Sequence, residues 1–81
     1  MNVRVLFFSV LRDFTETQEI MMQTAPDATV ATLLEECFTR WPKLRDWDKS
    51  LLIAVDQSYA KRTSPLHENA EVAIMPPVQG G

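Results

Sequence analysis

A chain of 81 residues, 46% hydrophobic and 23% charged, has the size and composition of one globular domain with one core and leaves no room for a second. Its formal net charge of -3, with only 8 Lys and Arg spread along it, speaks against a nucleic-acid role, which needs a basic face for phosphates. The single cysteine, Cys37, excludes an intramolecular disulfide and a cysteine-cluster metal site, so nothing here demands an oxidising compartment. The longest apolar stretch, Val5 to Leu11, is broken by Ser9 and falls far short of the ~20 residues of a membrane span. It also lacks the small-residue cleavage site of a signal peptide, so a cytoplasmic location is expected.

The opening Val3-Arg4-Val5-Leu6-Phe7-Phe8-Ser9 reads as a strand, with Val3, Val5 and Phe7 on one face and Arg4, Leu6 and Phe8 on the other. That second face is unusually apolar for a surface meeting water, and Phe8 calls for a partner. After a turn through Leu11-Arg12-Asp13-Phe14, the segment Thr17 to Thr24 alternates Glu19, Met21 and Gln23 with Gln18, Ile20 and Met22, which predicts a second, antiparallel strand. Pro26-Asp27-Ala28-Thr29 is a helix-start signal, because Asp or Thr accepts a hydrogen bond from the free amides of a first turn. Val30, Leu33, Leu34, Cys37, Phe38 and Trp41 then form one apolar stripe on a 3.6-residue period, and Pro42 stops the helix near Arg40. Leu51 to Val55 is short and apolar enough for a central strand. Asp56-Gln57-Ser58 turns the chain into a short strand near Tyr59-Ala60-Lys61. Glu71 to Met75 is the last strand, with Val72 and Ile74 opposite Ala73 and Met75, and Pro76-Pro77 ends it.

Two strands, one amphipathic helix and three strands predict an α+β fold, a mixed sheet of four to five strands packed on that helix. The first and last strands are expected side by side at its centre, in the order of a ubiquitin-like β-grasp. The domain is expected over residues 1–77, with residues 78–81 as a flexible C-terminal tail.

That tail, Val78-Gln79-Gly80-Gly81, holds the only two glycines of the chain. Without a Cβ on its last two residues, it can enter a channel too narrow for a side chain, and its terminal carboxylate becomes the reactive group. Four residues reach at most ~13–14 Å, enough to enter a neighbour's pocket while the domain stays outside. Pro76-Pro77 would direct them away from the sheet. For an arbitrary protein such an end is more often frayed or an expression scar. Here it follows a well-formed strand and a Pro-Pro stop.

The chain resembles the MoaD-like family, the small subunits of molybdopterin synthase. The resemblance rests on Val5-Leu6-Phe7-Phe8-Ser9-Val10-Leu11-Arg12, on Ile53-Ala54-Val55-Asp56-Gln57, and above all on the run from Glu71 through Met75-Pro76-Pro77-Val78-Gln79-Gly80-Gly81. Asp56 stands where the family usually carries Asn, Asn69-Ala70 replaces a Gly-Asp turn, and Gln79 replaces a small hydroxyl residue. The resemblance implies a sulfur carrier that binds no cofactor itself. An adenylating enzyme resembling ubiquitin-activating enzymes uses ATP and Mg²⁺ to convert the carboxylate of Gly81 to an acyl-adenylate. Sulfur from a donor protein replaces AMP, and the thiocarboxylate enters the large subunit to build the dithiolene of molybdopterin. Two small and two large subunits make the heterotetramer.

Phe8, Met75 and Tyr59 are the candidate docking face, with Arg12 at its rim and Pro76, Pro77, Val78 and Gln79 leading to the reactive Gly80-Gly81. Scattered exposed apolar residues are the plainer alternative for the face. Cys37 reads as a core residue, His67 as a surface turn residue without metal or triad partners, and Glu35-Glu36 as a solvated helix face. A carrier for another pathway, such as thiamin thiazole synthesis, and a non-catalytic β-grasp interaction module remain as alternatives.

Overall fold

Alternation sets the first strand. Val3, Val5 and Phe7 of β1 (Asn2–Phe7) are buried, whereas Arg4 is exposed and Leu6 half-buried. The structure, a computed structural model, describes residues 1–77. The remaining elements are α1 (Leu11–Thr15), β2 (Glu19–Gln23), α2 (Val30–Arg40), a 3-10 helix (Pro42–Ser50), β3 (Leu52–Val55), β4 (Ser58–Tyr59) and β5 (Ala70–Met75).

The five strands form one sheet in the order β2-β1-β5-β3-β4. β1 and β5 run parallel at its centre, and every other pairing is antiparallel, giving the mixed sheet and central pair expected of a β-grasp. Parallel neighbours need a crossover, and α2 lies within it. The Oγ1 of Thr29 accepts the amide hydrogen of Thr32 at 3.3 Å and caps the helix start. The stripe Val30, Leu33, Leu34, Cys37 and Phe38 is fully buried against Val3, Val5, Phe7, Ile53, Val72 and Ile74 of the sheet. Trp41 ends the helix, its amide donating to the Cys37 carbonyl at 2.7 Å, and Pro42 prevents continuation. The Trp41 ring stands edge-on to Phe7, with centroids 5.1 Å apart.

The segment read as a turn at Leu11–Phe14 is a short helix. Ser9 at φ 57° turns the chain out of β1, successive amides at Leu11, Arg12 and Asp13 bond back to Phe8, Ser9 and Val10, and Glu16 at φ 59° closes the turn. The second strand is shorter than its alternating pattern. Thr15 Oγ1 donates to the Thr17 carbonyl at 3.0 Å and holds Thr17 in a local turn, so regular pairing starts at Glu19. The short fourth strand is Ser58–Tyr59, because the Lys61 amide bonds to Ser64 Oγ at 3.0 Å and leaves the ladder. The 3-10 helix seats Leu44 in the core, and Arg62 clips it from the side through the Asp48 carboxylate at 2.6 Å and the Asp48 carbonyl.

Candidate functional site

One face of the sheet is covered by α2, and the other is open. Register decides which side chains share that open face. Leu6 pairs with Glu19 on one side and Ala73 on the other, Ala73 with Ala54, and Ala54 with Tyr59, so these five residues lie in one row across all five strands. The next outward-facing row toward the end of β5 pairs Met75 with Leu52. Phe8 sits one residue beyond β1, not within it as the sequence suggests. Its amide still donates to the Ile74 carbonyl at 3.3 Å, which holds it in line beside Met75.

The face is low where Ala54 and Ala73 stand and high at Tyr59 on β4 and at Phe8 beyond the end of β1. Tyr59 is 76% exposed and Phe8 44%. An open depression of about 240 Å³ is lined by Ala54, Gln57, Tyr59 and Met75. Arg4 and Glu71, whose charged ends meet at 2.6 Å, bound the face away from the tail. An apolar trough with a polar margin is the form of a protein docking surface, since water leaves the centre while the margin stays solvated.

Because β1 and β5 are parallel, the chain leaves both at the same end of the sheet. Half-buried Pro76 and Pro77 follow Met75 there, and exposed Arg12 follows Phe8. Arg12 lies on α1 rather than in a turn. It lines a broad hollow of about 490 Å³ with Ser9, Asp13, Glu16, Thr17 and Gln18, and forms no ion pair among the described residues. The candidates Val78, Gln79, Gly80 and Gly81 lie outside the described residues. Leu6 and Ala73, set outward by the strand alternation in the sequence, belong to the face, and Leu52 and Ala54 join it without having been placed there. Their outward position in the strand alternation was the available signal.

The family match runs over residues 5–81 and so spans both this face and the Gly-Gly end. The chain belongs to the ThiS family. The molybdopterin synthase sulfur carrier subunit of Mycobacterium tuberculosis is 34% identical over 83 residues, covering 99% of this chain and 98% of that protein. SAMP1 from Haloferax volcanii superposes with a TM-score of 0.86 at 21% identity, each chain covered in full at 100%. A chain from the Helicobacter pylori complex of subunits 1 and 2 of molybdopterin-converting factor superposes at 0.70 with 23% identity, again with 100% of both chains covered. These structures establish the ubiquitin-like β-grasp fold of this ThiS-family chain.

The remaining titratable candidates in the ThiS-family chain divide by burial. Cys37 is fully buried, its thiol pushed up to about 12 mainly by burial and further by the negative charge of Glu36. At neutral pH it is a protonated packing group 3.8 Å from the Met22 sulfur. Glu35 is exposed and within 3.5 Å of Arg45, whereas Glu36 is half-buried and so departs from a purely solvated face. His67 is exposed, as a turn residue should be, but it is not alone. Its Nε2 lies 2.5 Å from Asp56 Oδ2. Among the described residues, no group of three His, Cys, Asp or Glu side chains is arranged to hold a metal ion, and no helix is long and apolar enough to cross a membrane.

Proposed function

We propose that this chain is the sulfur-carrying small subunit of a molybdopterin synthase, working in the cytoplasm. The carrying observation is the family match through residue 81, which includes the Gly-Gly end. Supporting it are the 34% identity to a molybdopterin synthase sulfur carrier subunit and an open apolar face at the end of the sheet where β5 finishes.

The chemistry follows from the weakness of a carboxylate as an acyl donor. An adenylating partner using ATP and Mg²⁺ joins a Gly81 carboxylate oxygen to the α-phosphorus, and pyrophosphate leaves. A sulfur nucleophile from a donor protein then attacks the acyl carbon. If that sulfur is the outer atom of a persulfide, the C–S bond forms, the C–O bond breaks and AMP departs to give an acyl disulfide. A second thiol then cleaves its S–S bond, which releases the thiocarboxylate and leaves a disulfide on the donor side. Residues 78–81 carry that group into the large subunit, where sulfur passes to the pterin precursor and the carboxylate returns. The domain of residues 1–77 supplies docking through Phe8, Tyr59 and Met75 with Arg12 at the rim, and Pro76-Pro77 directs the tail. Holding the reacting carbon in a narrow channel replaces a bimolecular encounter by a positioned one. Glycine at residues 80 and 81 keeps that channel open.

Reconstitution tests the assignment. The thiocarboxylated chain, mixed with a molybdopterin synthase large subunit and the pterin precursor, is expected to yield the dithiolene product, and the Gly81-deleted chain to yield none. Product from both would contradict the carrier role. Sulfur loading without product would assign the chain to another pathway.

A further inference from the structure

The sequence places His67 alone in a turn, and the fold gives it two partners. Its Nε2 lies 2.5 Å from Asp56 Oδ2, and its Nδ1 lies 2.8 Å from the Glu68 carbonyl oxygen. The carbonyl only accepts. Asp56 also accepts, since its Oδ1 receives the Glu71 amide hydrogen at 3.0 Å, and this bond together with the one from His67 holds its carboxyl below the usual range. A neutral imidazole carries a single N–H and can satisfy one of these acceptors, whereas an imidazolium satisfies both.

The contacts add a side-chain tie at the end of the β3–β5 ladder, whose last pair is Val55 with Val72. Asp56, at φ 52°, begins the two-residue turn between β3 and β4, and its amide also donates to the Glu71 carbonyl at 2.8 Å. His67 lies in the loop that enters β5. We propose that Asp56 and His67 form a proton-dependent latch that fastens the β3–β4 hairpin, and the Tyr59 it carries, to the segment entering β5. The latch holds both bonds while the imidazole keeps its second proton and is reduced to one, without the ionic attraction to Asp56, once that proton leaves.

Of the other charged groups on these elements, Arg62 pairs with Asp48, Lys61 forms no ion pair among the described residues, and the two carboxylates are engaged elsewhere. The Glu68 carboxylate receives the Asn2 amide with both oxygens at 3.2 Å, and the Glu71 carboxylate meets the Arg4 guanidinium at 2.6 Å. Neither replaces Asp56 opposite the ring. The hydrogen bonds to Asp56 and to the Glu68 carbonyl, with the Asp56 charge, raise the His67 pKa above its ordinary value of 6.5. The latch therefore holds in full through that value and loosens as pH rises past the raised one. At the acid end it opens as pH falls through the depressed pKa of Asp56. Both side chains are about half exposed or more, at 61% and 48%, so the pair sets the order of the hairpin and leaves the fold intact.

His67 is the only histidine, so its ring protons report the latch without ambiguity in an NMR pH titration of the whole chain. The titration requires no partner and stands apart from the proposed carrier role. The expected result is a ring midpoint above the ordinary histidine value, with the amides of Asp56, Tyr59 and Glu71 shifting at the same midpoint. Asp56→Asn keeps the left-handed turn, because Asn tolerates that conformation. It is expected to lower the midpoint toward the ordinary value, the Glu68 carbonyl contact remaining, and to abolish the Tyr59 shift. Three results would overturn the latch: a wild-type midpoint at or below the ordinary value, a midpoint that Asp56→Asn leaves unchanged, or ring titration without a response at Tyr59 and Glu71.

Discussion

Among the described residues, five other than glycine hold positive φ: Ser9, Glu16, Asp56, Gln57 and Asn69, at 57°, 59°, 52°, 72° and 64°. Asn and Asp bear this conformation through their short polar side chains, but a glutamine gains no such relief. Gln57 also sits in a two-residue hairpin turn whose two positions both need φ above zero, a setting that favours glycine second. Gln57→Gly is therefore expected to stabilise the fold by about 0.5–1 kcal/mol, the left-handed strain relieved less the added freedom of the unfolded chain. Urea unfolding measures this, and an unchanged or lowered midpoint would contradict it. Phe8 belongs to the same scale with the opposite expectation. Its ring is nearly half exposed and lies outside the core, so Phe8→Ala should leave the unfolding midpoint within about 0.5 kcal/mol of wild type. At a docking surface the same truncation should cost roughly 2 kcal/mol, a loss of about 30-fold in affinity for the large subunit by calorimetry. Unchanged affinity would remove Phe8 from that surface.

At the scale of elements, legibility followed periodicity. The stripe from Val30 to Phe38 and the alternations Val3, Val5, Phe7 and Val72, Ile74 gave α2, β1 and β5 with their buried faces, because in each one side chain after another answers to the same core. α1 was hidden because five residues carry too little period to read. Its start has no side-chain cap, and its end is closed by Glu16 where glycine is the familiar mark. The 3-10 helix at Pro42–Ser50 buries Leu44 alone, so its sequence looks like a polar loop. The open face was half legible. Phe8, Tyr59 and Met75 stand out as large residues, but Ala54 and Ala73 acquire meaning only when the register sets them in one row. The Asp56–His67 contact was invisible for the same reason, as only the β3–β5 pairing brings the two loops together. The cap on α2 yields a prediction at this scale. Thr29→Ala removes the acceptor for the Thr32 amide and should cost about 1 kcal/mol in thermal or urea unfolding, with no loss to Thr29→Asp. Equal loss in both variants would show that Thr29 acts through something other than its oxygen.

For the whole molecule, the division of labour is the central point. The core lies between α2 and one face of the sheet, and no reactive group is left inside it: Cys37 is buried as a protonated thiol. The other face is an open apolar trough. On the proposed reading, the chain brings a docking face and a terminal carboxylate, and its partners bring the catalytic side chains. The most direct measurement is an intact-mass spectrum of the chain after incubation with ATP, Mg²⁺, a molybdopterin-pathway adenylating enzyme and a sulfur donor, beside the Gly81-deleted form. The carrier assignment predicts a mass gain equal to one oxygen replaced by sulfur, confined to the intact chain. A folded chain that shows no gain while the enzyme loads a control carrier would contradict it.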